Sequence, residues 1–173
     1  HIPRELRPKP TDRPLIHGCE ILDNGDAVFN FEGLGLVRIT PTGERVWSLR
    51  HRTHHSVEQA PDGTLWVLGR KRVTERRPTL PERYPPYGEN TLLHVSPDGD
   101  ILREISLQGL LRDNGYGPMI GARDGRDLPW NLDDRLHPND VDPFPADLEP
   151  GFFGPGDLAV SLRNVGTVFV ADS

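Results

Sequence analysis

Histidines stand at equivalent places in three segments of this chain. His17 begins HGCEILDNGDAVF, the pair His54 and His55 begins HHSVEQAPDGTLWVL, and His137 begins HPNDVDPFP. A shift of 38 residues aligns His17 with His55 and Asn24-Gly25 with Asp62-Gly63. Imidazole titrates near neutral pH, so it can act as a base, an acid, a nucleophile or a donor to an anion. The spacing predicts a ring of imidazoles at one end of repeated strands.

Short strands joined by tight turns are the elements that must position these histidines. The dipeptides Asn24-Gly25, Thr42-Gly43, Asp62-Gly63 and Asp98-Gly99 each separate two apolar runs. Asn-Gly and Asp-Gly favour the positive φ angles of two-residue hairpins. The apolar runs of strand length are 28–31, 36–39, 46–49, 65–68, 92–95, 101–105, 158–162 and 168–170.

Two hairpins per repeat, with a repeat of about 40 residues, are typical of propeller blades. We therefore predict an all-β fold, a β-propeller of four-stranded antiparallel blades. The blades are expected at 17–49, 54–107 and 137–173, after an N-terminal segment 1–16 and with loop insertions at 70–90 and 108–136. A short helix is expected near 105–111. About three blades cannot close a ring of six, so we expect the chain to be an incomplete propeller, part of a longer protein.

Composition excludes several functions. The formal net charge of −6 in 173 residues argues against general nucleic-acid binding. No apolar run approaches the roughly 18 residues that a membrane-spanning helix needs. A single cysteine, Cys19, excludes an internal disulfide framework.

Four segments together resemble the arylsulfotransferase family. They are HHSVEQAPDGTLWVL, DNGYGPMIG, LHPNDVDPFPAD and DLAVSLRNVGTVFVAD, and the resemblance covers about residues 15–173. The resemblance implies a six-bladed propeller that transfers a sulfuryl group from a phenolic sulfate ester to a phenolic acceptor through a sulfo-histidine. It implies no cofactor, no need for the nucleotide donor PAPS, and an extracytoplasmic location.

The resemblance also implies roles for particular residues. His137 and Arg163 match a histidine and an arginine of the family's channel, and one of His54 and His55 matches another histidine. Arg163 and Asn139 are the expected substrate-binding residues. The nucleophilic histidine is expected downstream of Arg163, so this part alone is predicted to be inactive.

Other interpretations of the same residues stay open. A non-catalytic propeller could bind a ligand or partner through its channel, with Arg163 in a cross-strand ion pair. A lactonase-like hydrolase could hold a metal with Asn139, Asp140 and Asp142.

Zinc is a further candidate, because His51 and Glu58 flank the histidine pair. A zinc site that uses both His54 and His55 is disfavoured, since adjacent side chains of an extended strand point to opposite faces. We therefore predict no metal, and only one histidine of the pair in the channel.

Overall fold

Three antiparallel sheets follow one another along the chain. The computed structural model describes residues 15–78, 85–121, 134–149 and 151–173. The first sheet contains β1 (Ile16–Ile21), β2 (Ala27–Phe31), β3 (Gly35–Ile39) and β4 (Arg45–Leu49). The second contains β5 (Thr53–Gln59), β6 (Leu65–Val73), β7 (Tyr87–Val95) and β8 (Ile101–Ser106). The third contains β9 (Pro138–Pro143), β10 (Leu158–Leu162) and β11 (Thr167–Ala171).

Glycine-containing turns close the hairpins as predicted from the sequence. Gly25, Gly43, Gly63 and Gly99 have φ angles of 84°, 85°, 82° and 89°, in the region that favours glycine. Each glycine N–H donates to a carbonyl three residues earlier, at 2.8–3.0 Å. All eight apolar runs lie within strands, and every sheet has its strands in sequence order.

The two regions expected to be insertions contain regular structure. Residues 70–73 and 87–90 extend β6 and β7 as a paired ladder. After β8, the chain forms α1 (Leu107–Asp113) and α2 (Gly117–Gly121), with the Ser106 hydroxyl accepting from Gly109 N–H at the start of α1. Within the described ranges, neither helix is long and apolar enough to cross a membrane. Residues 1–14, 79–84 and 122–133 of the predicted segments lie outside the described residues.

The second sheet is buried on both faces, which explains its continuous apolar sequence. On β6, Val67 packs in a core shared with the first sheet, whereas Leu68 packs in a core shared with the third. Adjacent residues of a strand face opposite ways, so a strand between two sheets needs apolar residues at every position. The run Leu65–Leu68 meets this requirement, with 0–3% exposure at each residue.

The first strands of the three sheets lie side by side, β5 between β1 and β9. Gly33 N–H donates to Thr53 O at 2.7 Å, and the Asn30 carboxamide donates to His55 O, joining the first sheet to β5. Val141 N–H donates to the Ser56 hydroxyl at 3.0 Å, joining β9 to β5. The three sheets that carry the candidate histidines are therefore held together by direct hydrogen bonds.

Candidate functional site

Imidazoles from all three sheets converge. The ring of His55 on β5 lies 4.0 Å from that of His17 on β1 and 5.0 Å from that of His137, measured between centroids. His54 is also present, with its Nδ1 atom 3.0 Å from Nδ1 of His55. The pairing of both Nδ1 atoms requires one of them to carry the proton and the other to accept it. The structure thus brings together the histidines that the repeat pattern aligned.

Backbone irregularity explains why His54 and His55 share one site. The register of β5 shifts between His54 and Val57, and His55 has a φ of 53°. His137, just before β9, has a φ of 49°. Side chains alternate between faces only in a regular strand, so the irregular register allows the two rings to meet, while the expectation that only one of them lies in the channel stays a prediction. A left-handed conformation costs a non-glycine residue about 1–2 kcal/mol, and such strain clusters at functional sites.

Burial and mutual repulsion keep the central imidazoles neutral. Burial lowers the pKa of His54 to about 4, with a further lowering by His55. Burial lowers the pKa of His55 to about 4 as well, and His17 and His137 add to this effect. At pH 7 these two rings therefore act as hydrogen-bond donors and acceptors, or as bases, and not as resident cations.

Arg163 adds a positive charge near the imidazole of His55. It follows β10 at the start of a 3-10 helix, Arg163–Val165, and its backbone N–H donates to His137 O at 3.0 Å. Its charge is among the causes that lower the pKa of His55. The side chain is exposed, and its Nε donates to Asn164 Oδ1 at 3.2 Å. A planar guanidinium presents several donors to the oxygens of an anion.

Asp134 is a site residue that the sequence analysis missed. Its Oδ2 lies 2.9 Å from Nδ1 of His137, and its Oδ1 accepts from His137 N–H at 3.1 Å. Burial raises the pKa of this carboxyl, but the hydrogen bond with His137, the charge of Arg70 and the hydrogen bond from Asn90 outweigh it and hold the pKa well below its usual range. The signal available in the sequence was a carboxylate three residues before His137, inside a region assigned to a loop.

A groove of about 570 Å³ opens beside the imidazoles. Its wall includes His17, His55, Asn139 and Glu58. Burial, with repulsion from Glu20, Asp140 and Asp142, raises the pKa of Glu58 to about 7. The wall of the groove therefore carries the imidazoles of His17 and His55 together with the carboxyl groups of Glu58 and Asp140.

Metal binding receives no support from the described residues. In residues 15–78, 85–121, 134–149 and 151–173, no three His, Cys, Asp or Glu side chains are grouped so that they could hold a metal ion. His51, considered with the histidine pair as a zinc ligand, pairs instead with Glu104 at 3.2 Å.

One family model matches most of the chain. The family model described as Arylsulfotransferase (ASST) matches residues 18–173. The chain belongs to the arylsulfotransferase family. Membership supports a sulfotransferase function with small phenolic substrates. No curated protein matches the chain.

The range matched by the family model includes most of the clustered residues. The matched range contains His54, His55, His137 and Arg163, and it begins one residue after His17.

Proposed function

We propose that the chain is part of a six-bladed propeller enzyme that transfers a sulfuryl group from a phenolic sulfate ester to a phenolic acceptor. The observation that carries the proposal is the convergence of His55 on β5 with His17 on β1 and with His137 just before β9, beside Arg163. In this proposal the sulfuryl group passes through a sulfo-histidine, and PAPS is not required.

The arrangement of the sheets supports the propeller. The second sheet packs between the first and third, and the strands that begin the three sheets lie next to one another. Radial packing of four-stranded sheets around their first strands is how propeller blades pack around a central channel. The third sheet has three strands in the described residues.

The electrostatics of the site suit a sulfuryl transfer. As the S–O bond of the ester lengthens, negative charge grows on the phenolic oxygen, and the transferred group keeps its terminal oxygens. Arg163 supplies a fixed positive charge for those oxygens, with Asn139 on the groove wall as a second polar contact. Neutral imidazoles can take the proton of the acceptor phenol or return one to the leaving oxygen. We assign these proton-transfer roles to His54, His55 and His137. We place the enzyme outside the cytoplasm, on family resemblance.

The decisive experiment is turnover of p-nitrophenyl sulfate with a phenol acceptor by the full-length protein. We expect parallel initial-velocity lines, which indicate a covalent intermediate, and an acid-labile sulfo adduct on histidine. Arg163→Ala should lower kcat/KM by roughly 10²- to 10³-fold, the cost of losing a donor to developing charge. His137→Ala should lower it at least as far.

A matched control is Arg103→Ala. Arg103 is exposed on β8, the last strand of the second sheet, and its replacement should leave turnover unchanged. Wild-type turnover by both Arg163→Ala and His137→Ala would show that the site is assigned wrongly. Binding of the aryl sulfate without any transfer would favour the ligand-binding propeller, and loss of hydrolysis with a chelator would favour the metal-dependent hydrolase.

A further inference from the structure

Asp134 connects His137 to two of the three sheets. Its Oδ1 accepts from the carboxamide of Asn90 on β7 at 3.0 Å, and its backbone carbonyl accepts from Asn164 at 2.7 Å. The Arg70 guanidinium on β6 lies 3.8 Å from Oδ2. The residue is 6% exposed. A carboxylate held by this many partners has little freedom to move, so the groups that it holds are fixed relative to both sheets.

The same carboxylate binds His137 at two points, the ring and the backbone. An ionised carboxylate only accepts hydrogen bonds, so Nδ1 of His137 must carry a proton when it lies 2.9 Å from Oδ2. The second contact, from His137 N–H to Oδ1, holds the backbone in its left-handed conformation. In the neutral ring the lone pair must then lie on Nε2.

Nε2 of His137 is buried and has no hydrogen-bond partner within the described part of the chain. A buried polar atom without a partner is costly in a folded protein, and such atoms mark places where a ligand or water completes the bonding. The ring stands at 88° to that of His55, so Nε2 belongs to the imidazole cluster and not to an isolated pocket.

We infer that Asp134 is the positioning residue of the site: it holds His137 as the Nδ1–H tautomer and so presents the Nε2 lone pair to the reacting group. This inference rests on the proposed function for its catalytic consequence. During transfer, Nε2 accepts the proton of the attacking phenol, so the O–H bond breaks as the N–H bond forms. The phenol oxygen forms the new S–O bond while the bond between sulfur and the sulfo-histidine nitrogen breaks, and that nitrogen keeps the electron pair. The resulting imidazolium of His137 faces the Asp134 carboxylate.

The test uses Asp134→Asn in the full-length protein, with two readouts. The amide has the shape of the carboxylate, but its NH₂ group can donate to Nδ1 and reverse the tautomer. We expect kcat to fall by about 10²- to 10⁴-fold, as for loss of an orienting carboxylate elsewhere, with KM for p-nitrophenyl sulfate within about threefold of wild type. Imidazole ¹⁵N NMR should show His137 protonated on Nδ1 in the wild-type protein and on Nε2 in the variant.

Asp26→Asn is the matched control. Asp26 is also 6% exposed and is paired with Arg38 at 2.8 Å, but no histidine contacts its carboxylate in the described residues. The change should leave kcat and the His137 tautomer unchanged, although it removes an equally buried charge. If wild-type His137 carries its proton on Nε2, the inference is overturned even where turnover is normal. If the wild-type protein transfers no sulfuryl group, the proposed function fails, and the NMR signal still decides whether Asp134 sets the tautomer.

Discussion

At the residue scale, the site combines neutral imidazoles with the charges of the Arg163 guanidinium and the Asp134 carboxylate. His54 and His55 have pKa values of about 4, because burial and neighbouring imidazoles disfavour the imidazolium. The Arg163 guanidinium adds a positive charge that acts on His55. Under the proposed function, a bound sulfate ester would meet the Arg163 guanidinium and uncharged imidazoles, and its negative charge would favour protonation of the rings as transfer proceeds.

The shifted histidine pKa values predict a pH-dependent stability. Histidines of the unfolded chain have pKa values near 6.5. Between pH 6.5 and 4, His54 and His55 are therefore protonated in the unfolded state and neutral in the folded state. Their contribution to the free energy of unfolding is complete above pH 6.5 and is lost as the pH falls toward 4. The double variant His54→Gln, His55→Gln should lose less stability between pH 7 and pH 5 than the wild-type protein in urea unfolding.

The comparison isolates the two histidines, because Glu58 and His51 are the same in both proteins. The raised pKa of Glu58 acts in the opposite direction, since its contribution is lost as the pH rises from 4.5 to 7. Identical pH dependence of the double variant and the wild type would show that the imidazoles are not buried in neutral form.

At the element scale, a strand could be predicted from the sequence where it contains a regular apolar run. The middle strands β6 and β7 contain apolar runs because they pack between sheets, and the hairpin turns of the first two sheets carry Asn-Gly, Thr-Gly or Asp-Gly. The first strands β1, β5 and β9 lack such runs, and only the repeated histidines pointed to them. The irregular register at His54 and His55 could not be predicted, because a bulge depends on contacts between sheets. Asp134 was missed for the same reason, since its partners Asn90 and Asn164 are distant in sequence.

Close approach of β1 to β5 depends on Gly18. A Cβ atom at Gly18 would overlap the carbonyl oxygen of His55 and lie 2.9 Å from Nδ2 of Asn30. A backbone carbonyl cannot avoid the added Cβ by a rotamer change, as a flexible side chain could. We therefore expect Gly18→Ala to displace His55 from His17 and His137. We expect a loss of about 1–3 kcal/mol in the free energy of unfolding and a lower kcat/KM for aryl sulfate transfer.

Gly117→Ala is the control for this change. An added Cβ there meets no atom within 4 Å among the described residues, and φ is not positive. The control should therefore leave both the free energy of unfolding and kcat/KM near the wild-type values. A Gly18→Ala protein as stable and as active as the wild type would refute the close approach of the two strands.

At the scale of the whole molecule, the site exists only between sheets. His17 lies on β1 of the first sheet, His55 on β5 of the second, and His137 immediately before β9 of the third. Two apolar cores on opposite faces of the second sheet maintain their convergence. The composition and the repeat length predict packed sheets. Which face of each sheet packs against the next sheet could not be predicted from the sequence.

Substitutions of two neighbouring leucines on β7 test whether the three sheets depend on these two cores for their stability. Leu93 packs toward the first sheet and Leu92 toward the third, and each is at most 1% exposed. Leu92→Ala and Leu93→Ala should each lower the free energy of unfolding by about 2–5 kcal/mol, whereas Leu102→Ala, at 56% exposure on β8, should change it by less than about 0.5 kcal/mol. Trp47 in the first sheet and Trp66 in the second report unfolding by fluorescence in urea. If the sheets form one cooperative unit, both leucine variants shift a single transition. Two separate transitions, with only one of them shifted by each variant, would show that the sheets unfold independently, although the histidines converge between them.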